Sequence, residues 1–314
     1  MNTQELLTKL DGAVKAITRG DMGQGLLTPE KANQFIRVVQ DSTPLLSMAR
    51  RLTMNAPTRD IDRILFNGRI LAGTGGDQNP VTNEKKTVPY LNKLDAQELG
   101  GFVGVTDTTL EDNIERANFE DTIIQLLGDA TGRDLEYLFL AGDKSLSADP
   151  LLKVTDGWLK KTANKVTGGT AGSLTASQFD KTKVDDLLNK LLSVVPKKYM
   201  TDLSQWRYFV TWDILDDYRD ALRERQTALG DFAQTGANQL AFKGIILEYV
   251  PQMPLGTALL APPNNLVYGL YRDVKIEPDR VPKERKTDFV VTVRADAHFE
   301  DENASAVATG YVGV

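Results

Sequence analysis

Two strand-like segments, Arg63-Ile64-Leu65-Phe66 and Thr87-Val88-Pro89-Tyr90-Leu91, flank a polar stretch whose tip reads Gly73-Thr74-Gly75-Gly76-Asp77-Gln78-Asn79-Pro80. No other feature limits the fold as much. Two strands with a long glycine-rich tip make a β-ribbon, and a two-stranded ribbon is marginal in water by itself, so it must lie on something. The stretch before it has the same deficit. Leu6, Leu7, Leu10, Val14 and Ile17 recur at helical spacing, and Arg19 to Gly25 breaks the pattern. Thr28-Pro29-Glu30 then starts a second short helix, through Ala32 to Val39, that ends before Ser42-Thr43-Pro44. Two short helices joined by glycines bury little, which suits an extended arm lying on a neighbour better than a domain.

The remainder supplies a core. Gly101 to Val105 reads as a strand. Thr109, with Asp112 three residues on, has the form of a helix cap. Phe119, Ile123, Leu126, Leu127, Ala130, Leu135, Leu138 and Phe139 then follow at helical spacing until Ala141-Gly142-Asp143. An unbroken helix from Asn118 to Leu140 would run about 35 Å at ~1.5 Å per residue. Gly128 and Gly132 inside it would let another backbone approach closely. Gly142 to Ser173 is loop-like, with Trp158 and Leu159 as a local apolar anchor. Lys181 to Val195 carries one apolar stripe (Val184, Leu187, Leu188, Leu191, Leu192, Val195), and Pro196 ends it. Beyond lie strands at Trp206–Val210, Gly244–Val250, Asn265–Gly269, Val274–Ile276 and Phe289–Arg294, and a helix at Ile214–Leu222. Helices alternate with short strands and no unit repeats, an α+β pattern.

Composition narrows the chemistry. The 314 residues hold one histidine, His298, and no cysteine. Most hydrolytic triads and zinc sites need histidine or cysteine, so neither is expected, and no disulfide can form. A net charge of -6 offers no basic excess for phosphate neutralisation. No run of 18 apolar residues predicts a membrane helix, and the first residues lack the basic and apolar regions of a secretory signal.

Candidate motifs give way to structural readings. Gly73-Thr74-Gly75-Gly76 is not followed by the Gly-Lys-Ser/Thr and helix that a phosphate cradle requires. The acidic pairs Glu111-Asp112, Asp185-Asp186 and Asp216-Asp217 are neighbours on helices, about 100° apart, and do not converge on a metal. His298 could be a pH switch or a plain packing residue. Arg272, Lys275, Arg280, Lys283, Arg285 and Lys286 alternate with Asp273, Glu277, Asp279, Glu284 and Asp288. Such mixed signs argue against a nucleic-acid stripe and suit either charged contacts between subunits or an ordinary exposed hairpin. No catalytic, cofactor-binding or metal-binding set emerges.

Several segments, in order, resemble the major capsid proteins of tailed bacteriophages, the Hong Kong 97-like fold shared with encapsulins. Gly104-Val105-Thr106-Asp107-Thr108-Thr109-Leu110-Glu111-Asp112-Asn113 is similar to the family's strand before its long spine helix, and Leu138-Phe139-Leu140-Ala141-Gly142-Asp143 to the close of that helix. Val184 to Leu188, Val195-Pro196-Lys197-Lys198-Tyr199 and Trp206 to Thr211 follow the family's helix-turn-strand pattern. Phe242-Lys243-Gly244-Ile245-Ile246-Leu247, Met253-Pro254, Leu266 to Tyr271 and Val293-Arg294-Ala295-Asp296-Ala297 match its later strands. The resemblance covers roughly residues 35 to 314.

It implies an N-terminal arm (1–52), an extended ribbon or E-loop (53–100), a peripheral domain with the spine helix (101–175 and 272–296) and an axial domain (176–271 and 297–314). It implies a non-enzymatic shell subunit without cofactor or metal, assembling as pentamers and hexamers around double-stranded DNA without reading its sequence. The site would be the virion, assembled in the host bacterial cytoplasm, with separate scaffolding, portal and decoration proteins as partners and no membrane. Arg63, Lys85, Lys86, Arg272, Arg280, Lys283 and Arg285 are the expected subunit contacts. The family's lysine–asparagine cross-link does not carry over, since no motif here fixes the asparagine or the glutamate. An encapsulin-type compartment, and a carboxylate-based Mg2+ enzyme, are the rival readings.

Overall fold

The computed structural model describes residues 43–66, 87–112, 119–167, 184–223 and 240–311. The arm helices expected before Thr43 and the glycine-rich tip lie outside them. From Thr43 the chain enters a short helix, α1 (Pro44–Met48), with proline in the first turn where its missing N–H costs nothing. Strand β1 (Arg50–Thr53) follows. Neither was legible in the sequence, being four or five residues long, yet Leu45 is fully buried. This end of the expected arm is therefore built into its own molecule.

The ribbon forms as expected. β2 (Thr58–Phe66) and β3 (Thr87–Asp95) pair antiparallel from Thr58↔Asp95 to Phe66↔Thr87, as a two-stranded sheet of their own. β4 (Gln97–Thr106) then runs straight into α2 (Asp107–Asp112). The cap differs from the expectation: the Thr106 hydroxyl accepts the Thr109 N–H at 3.4 Å, and Thr109 is buried inside the first turn. A threonine closing a strand can cap as well as one further on, and periodicity cannot choose between them.

The longest helix, α3 (Phe119–Ala141), buries Ile123, Leu135, Leu138, Phe139 and Leu140. It stops at Gly142, whose N–H donates to the Leu138 carbonyl at 2.8 Å. Of its glycines, Gly132 faces the Thr43 side chain, while a Cβ on Gly128 would meet nothing within 4 Å. The segment read as loop, Gly142 to Ser173, holds α4 (Trp158–Lys161) and β5 (Asn164–Thr167). Trp158 is the anchor there. It is fully buried, donates its indole N–H to the His298 carbonyl at 3.0 Å, and meets Phe139 edge-on at 6.0 Å.

Next come α5 (Val184–Val194), β6 (Arg207–Val210) and α6 (Trp212–Arg223), close to their expected bounds. β7 (Ala241–Phe242) and β8 (Ile245–Tyr249) are joined through Lys243 and Gly244 at φ 50° and 84°, the left-handed pair that closes a tight hairpin. β9 (Thr257–Ala261) and the last strand, β12 (Ala306–Thr309), went unseen because their small, uniformly apolar sequences have no alternation. Between them run β10 (Leu266–Val281) and β11 (Lys286–Phe299). The two short strands expected at Asn265–Gly269 and Val274–Ile276 are one, β10. Register shifts between Leu270 and Arg272 and between Arg272 and Lys275 hide its continuity.

Two further sheets result, in the orders β1-β10-β11-β4 and β5-β12-β9-β6-β8-β7. The six-stranded sheet packs Tyr208, Val210, Ala258 and Leu260 against α5 and α6 on one face. Its other face turns Phe209, Leu259, Ala261 and Val307 toward Leu138, Phe139 and Trp158 of α3 and α4. Covered on both faces, β9 is buried along its whole length.

Candidate assembly surfaces

Among the described side chains, the ribbon is seated at its base. Met54, Ile61, Leu94, Ala96 and Val267 form a small core beneath it. Asn92 donates its side-chain amide to the Phe299 carbonyl at 2.8 Å. Asp296, 3% exposed, accepts the Asp95 N–H at 2.8 Å on one oxygen, and the Thr155 hydroxyl at 2.6 Å and the Ala297 N–H at 2.8 Å on the other. Lys161 completes this group, donating to the Ala297 carbonyl at 2.6 Å with its ammonium 3.7 Å from Asp296. Burial holds the Lys161 pKa below its usual value, and Asp296 opposes that. Outward from this seat, Leu91 is 63% exposed. The paired strands span about 30 Å at ~3.4 Å per residue.

The charged hairpin of β10 and β11 is largely paired within its own chain. Glu98 takes Arg294 on one carboxylate oxygen and has Arg272 at 3.7 Å on the other, and Arg294 holds its pKa below the usual range. Arg280 lies 3.3 Å from Asp107 at the start of α2. Arg285 sits in the turn at φ 50°, its carbonyl accepting the Asp107 N–H at 2.8 Å, and Lys283 is exposed beside it. Lys286 is buried between Glu284 at 2.7 Å and Asp288 at 3.2 Å. Arg63 lies on β2 opposite Tyr90. Lys85 and Lys86 lie outside the described residues. Arg280→Ala removes an exposed pair, so thermal melting of the free subunit is expected to lose less than about 1 kcal/mol.

Of the acidic pairs, the side chains of Glu111 and Asp112 lie outside those described, and the other two pairs stay apart. Asp185 and Asp186 open α5, Asp216 reaches Arg219 on its own helix at 4.0 Å, and Asp217 accepts the Tyr311 hydroxyl. Among the described residues no group of three or more His, Cys, Asp or Glu could hold a metal ion. Nor is any described helix long and apolar enough to cross a membrane. His298 lies on β11 with Nδ1 accepting the Phe299 N–H at 2.9 Å. Burial, then Lys161, hold its pKa below the usual value, so the imidazole is neutral at pH 7 and is a packing residue there. Sequence reasoning missed Asp296 as the centre of the ribbon seat. Its distant partners, Asp95, Thr155 and Lys161, come from β3, the loop before α4 and α4 itself, so no local pattern assembles the group.

This arrangement, a ribbon seated at one end, a long helix beside a four-stranded sheet, and a six-stranded sheet under two helices, recurs in solved structures. The capsid of a native GTA particle matches 94% of this chain and 99% of its own at TM-score 0.65 and 16% identity. A chain of the satellite phage P4 procapsid that includes the size determination (Sid) protein matches 98% and 99% at TM-score 0.61 and 15% identity. No family model matches the chain. In sequence it is 30% identical to YqbE of Bacillus subtilis (strain 168), assigned as a prophage capsid protein, over 98% of each chain. The chain belongs to the tailed-phage major capsid protein family. Its fold is the Hong Kong 97-like fold, and its role is structural.

Proposed function

We propose that this capsid protein closes on itself as pentamers and hexamers and builds the icosahedral head shell of a tailed bacteriophage around double-stranded DNA, without sequence-specific contacts to it. The observation that carries the reading is the ribbon: its nine residue pairs begin at a seat made by Asn92, Leu94, Asp95 and Asp296, and beyond that seat Leu91 is 63% exposed. A two-stranded ribbon of that length needs a partner surface, and an adjoining subunit supplies it.

In this reading residues 1–52 are the arm, 53–100 the extended loop, 101–175 and 272–296 the peripheral domain, and 176–271 and 297–314 the axial domain. The axial unit also borrows β5, which pairs with β12. Arg63, Lys85, Lys86, Arg272, Arg280, Lys283 and Arg285 lie on the ribbon and the charged hairpin, where complementary charges set register between subunits. The protein needs no catalysis, cofactor or metal for this. Separate scaffolding, portal and decoration proteins are its partners, assembly takes place in the host bacterial cytoplasm, and the product is the virion.

Size-exclusion chromatography followed by electron microscopy tests the reading. Rings and closed shells are expected from the full chain. Excising residues 62 to 91 behind a short turn is expected to leave a folded subunit that no longer forms shells. A compact species of 34.6 kDa at every concentration and salt would overturn the proposal.

A further inference from the structure

The six-stranded sheet carries two surface features at opposite ends of its strands. β6 and β8 run parallel, so their first residues share one end and their last residues the other. At the first end a groove of about 760 Å³ opens between α5, the segment leading to β6 and the β7–β8 turn. Leu192, Met200 and Leu203 give it an apolar floor. Lys190, Lys197 and Lys243 line it against a single acid, Asp186. Lys243 is held in place by donating to the Asn189 side chain on α5.

At the other end lies a ridge. Tyr249 ends β8, Trp212 opens α6 directly after β6, and Leu255 sits in the turn before β9. They are 38%, 51% and 83% exposed, and the two rings meet edge-on at 5.6 Å. Asp213 and Asp216 lie on the opening turns of α6 with Trp212, and Arg219 stacks over the indole as the basic residue of those two turns. The ridge is therefore apolar and acidic where the groove is apolar and basic.

We propose that the ridge of one subunit docks in the groove of the next, forming the contact that closes the ring; this rests on the shell reading above. A second copy is the occupant that both patches fit. Exposed aromatic residues framed by charge mark docking surfaces, and here the two surfaces have opposite sign and separate places on one chain. A contact between two different patches of identical subunits is head-to-tail, and it generates a ring whenever its rotation closes. A self-complementary contact would instead place both patches at one site and stop at a dimer.

The absence of cysteine makes the test direct. Leu203→Cys, in the groove, and Leu255→Cys, on the ridge, each replace an exposed side chain. When the two variants are mixed, assembled and treated with a short bis-maleimide, a covalent dimer is expected on denaturing gels, with none from either variant alone. Charge reversal gives a second arm. Lys190→Glu with Lys197→Glu, or Asp213→Lys with Asp216→Lys, is expected to cut ring yield at least ~10-fold, and the four changes combined in one chain to restore it. Circular dichroism of each free subunit checks that the fold is kept. Normal shells without the mixed cross-link would overturn this inference alone. Ring yields unchanged by both reversals would do the same. A wild-type chain that never forms rings would overturn the shell reading, and this contact with it.

Discussion

Gly142→Ala is expected to destabilise the free subunit by about 3 kcal/mol or more, read as a lowered melting temperature and loss of soluble protein. Glycine is required at this position by close approach of two backbones. As α3 ends, residues 155 to 157 cross beside it, and the Gly157 N–H donates to the Gly142 carbonyl at 2.8 Å. A Cβ on Gly142 would lie 2.4 Å from the Thr155 carbonyl oxygen and 2.6 Å from that of Leu138. Both are backbone atoms, so no side chain can move aside. Separating the segments would pull at Thr155, a partner of Asp296, and at Trp158, which plugs the core just beyond. Gly128→Ala, about four turns earlier and inside α3, is the control. Its Cβ meets nothing within 4 Å, so helix propensity alone is expected to raise stability by up to about 1 kcal/mol. Equal losses at both glycines would show that the crossing does not decide the effect.

The second large effect is a pH dependence set by Glu136. This residue is fully buried on α3, where one carboxylate oxygen accepts the Leu46 N–H of α1 at 3.2 Å. The other oxygen has no partner among the described residues. Burial pushes its pKa up to about 7 from the ordinary 4.5, and the backbone donors of α1 offset only part of that. The folded subunit thus binds more protons than the unfolded chain between those two values. The resulting stability is fully present below pH 4.5 and is lost as pH rises through 7. The span corresponds to roughly 3 kcal/mol. Glu136→Gln keeps an oxygen for Leu46 and cannot ionise, so its denaturation midpoint is expected to stay flat across the window and to exceed the wild type above pH 7. A wild-type midpoint that rises from pH 5 to pH 8 would refute the sign.

Long periodic elements were legible in the sequence, because a helix such as α3 repeats its apolar spacing often enough to be counted. α5 and α6 were read for the same reason, and the ribbon strands by their turn-rich interval. The misses share a different cause. β9 lies between two layers, so both faces are apolar and the sequence Thr-Ala-Leu-Leu-Ala alternates nothing. β10 was split because its bulge admits Arg272 and its neighbours, which read locally as a loop. α1 and β1 owe their form to tertiary partners: Leu45 has a core to enter only once α3 and the sheet are in place. The charged cluster was legible as composition and not as pairing. That Arg272 and Arg294 converge on Glu98 follows from the β4–β11 and β10–β11 registers, which no local pattern encodes. The groove and ridge were likewise invisible, since each gathers residues from segments far apart in the chain.

Asp296 has a mechanical consequence. Because one buried carboxylate grips both the foot of the ribbon and the body, the foot cannot swivel independently of the body. In the shell proposed above, a subunit meeting unequal neighbours would flex farther out, past Asn92, where backbone pairing is the ribbon's own. The socket acts as a clamped end of a cantilever, and compliance grows steeply with distance from it. Asp296→Ala would move the pivot inward, turning a bending strip into a loose hinge.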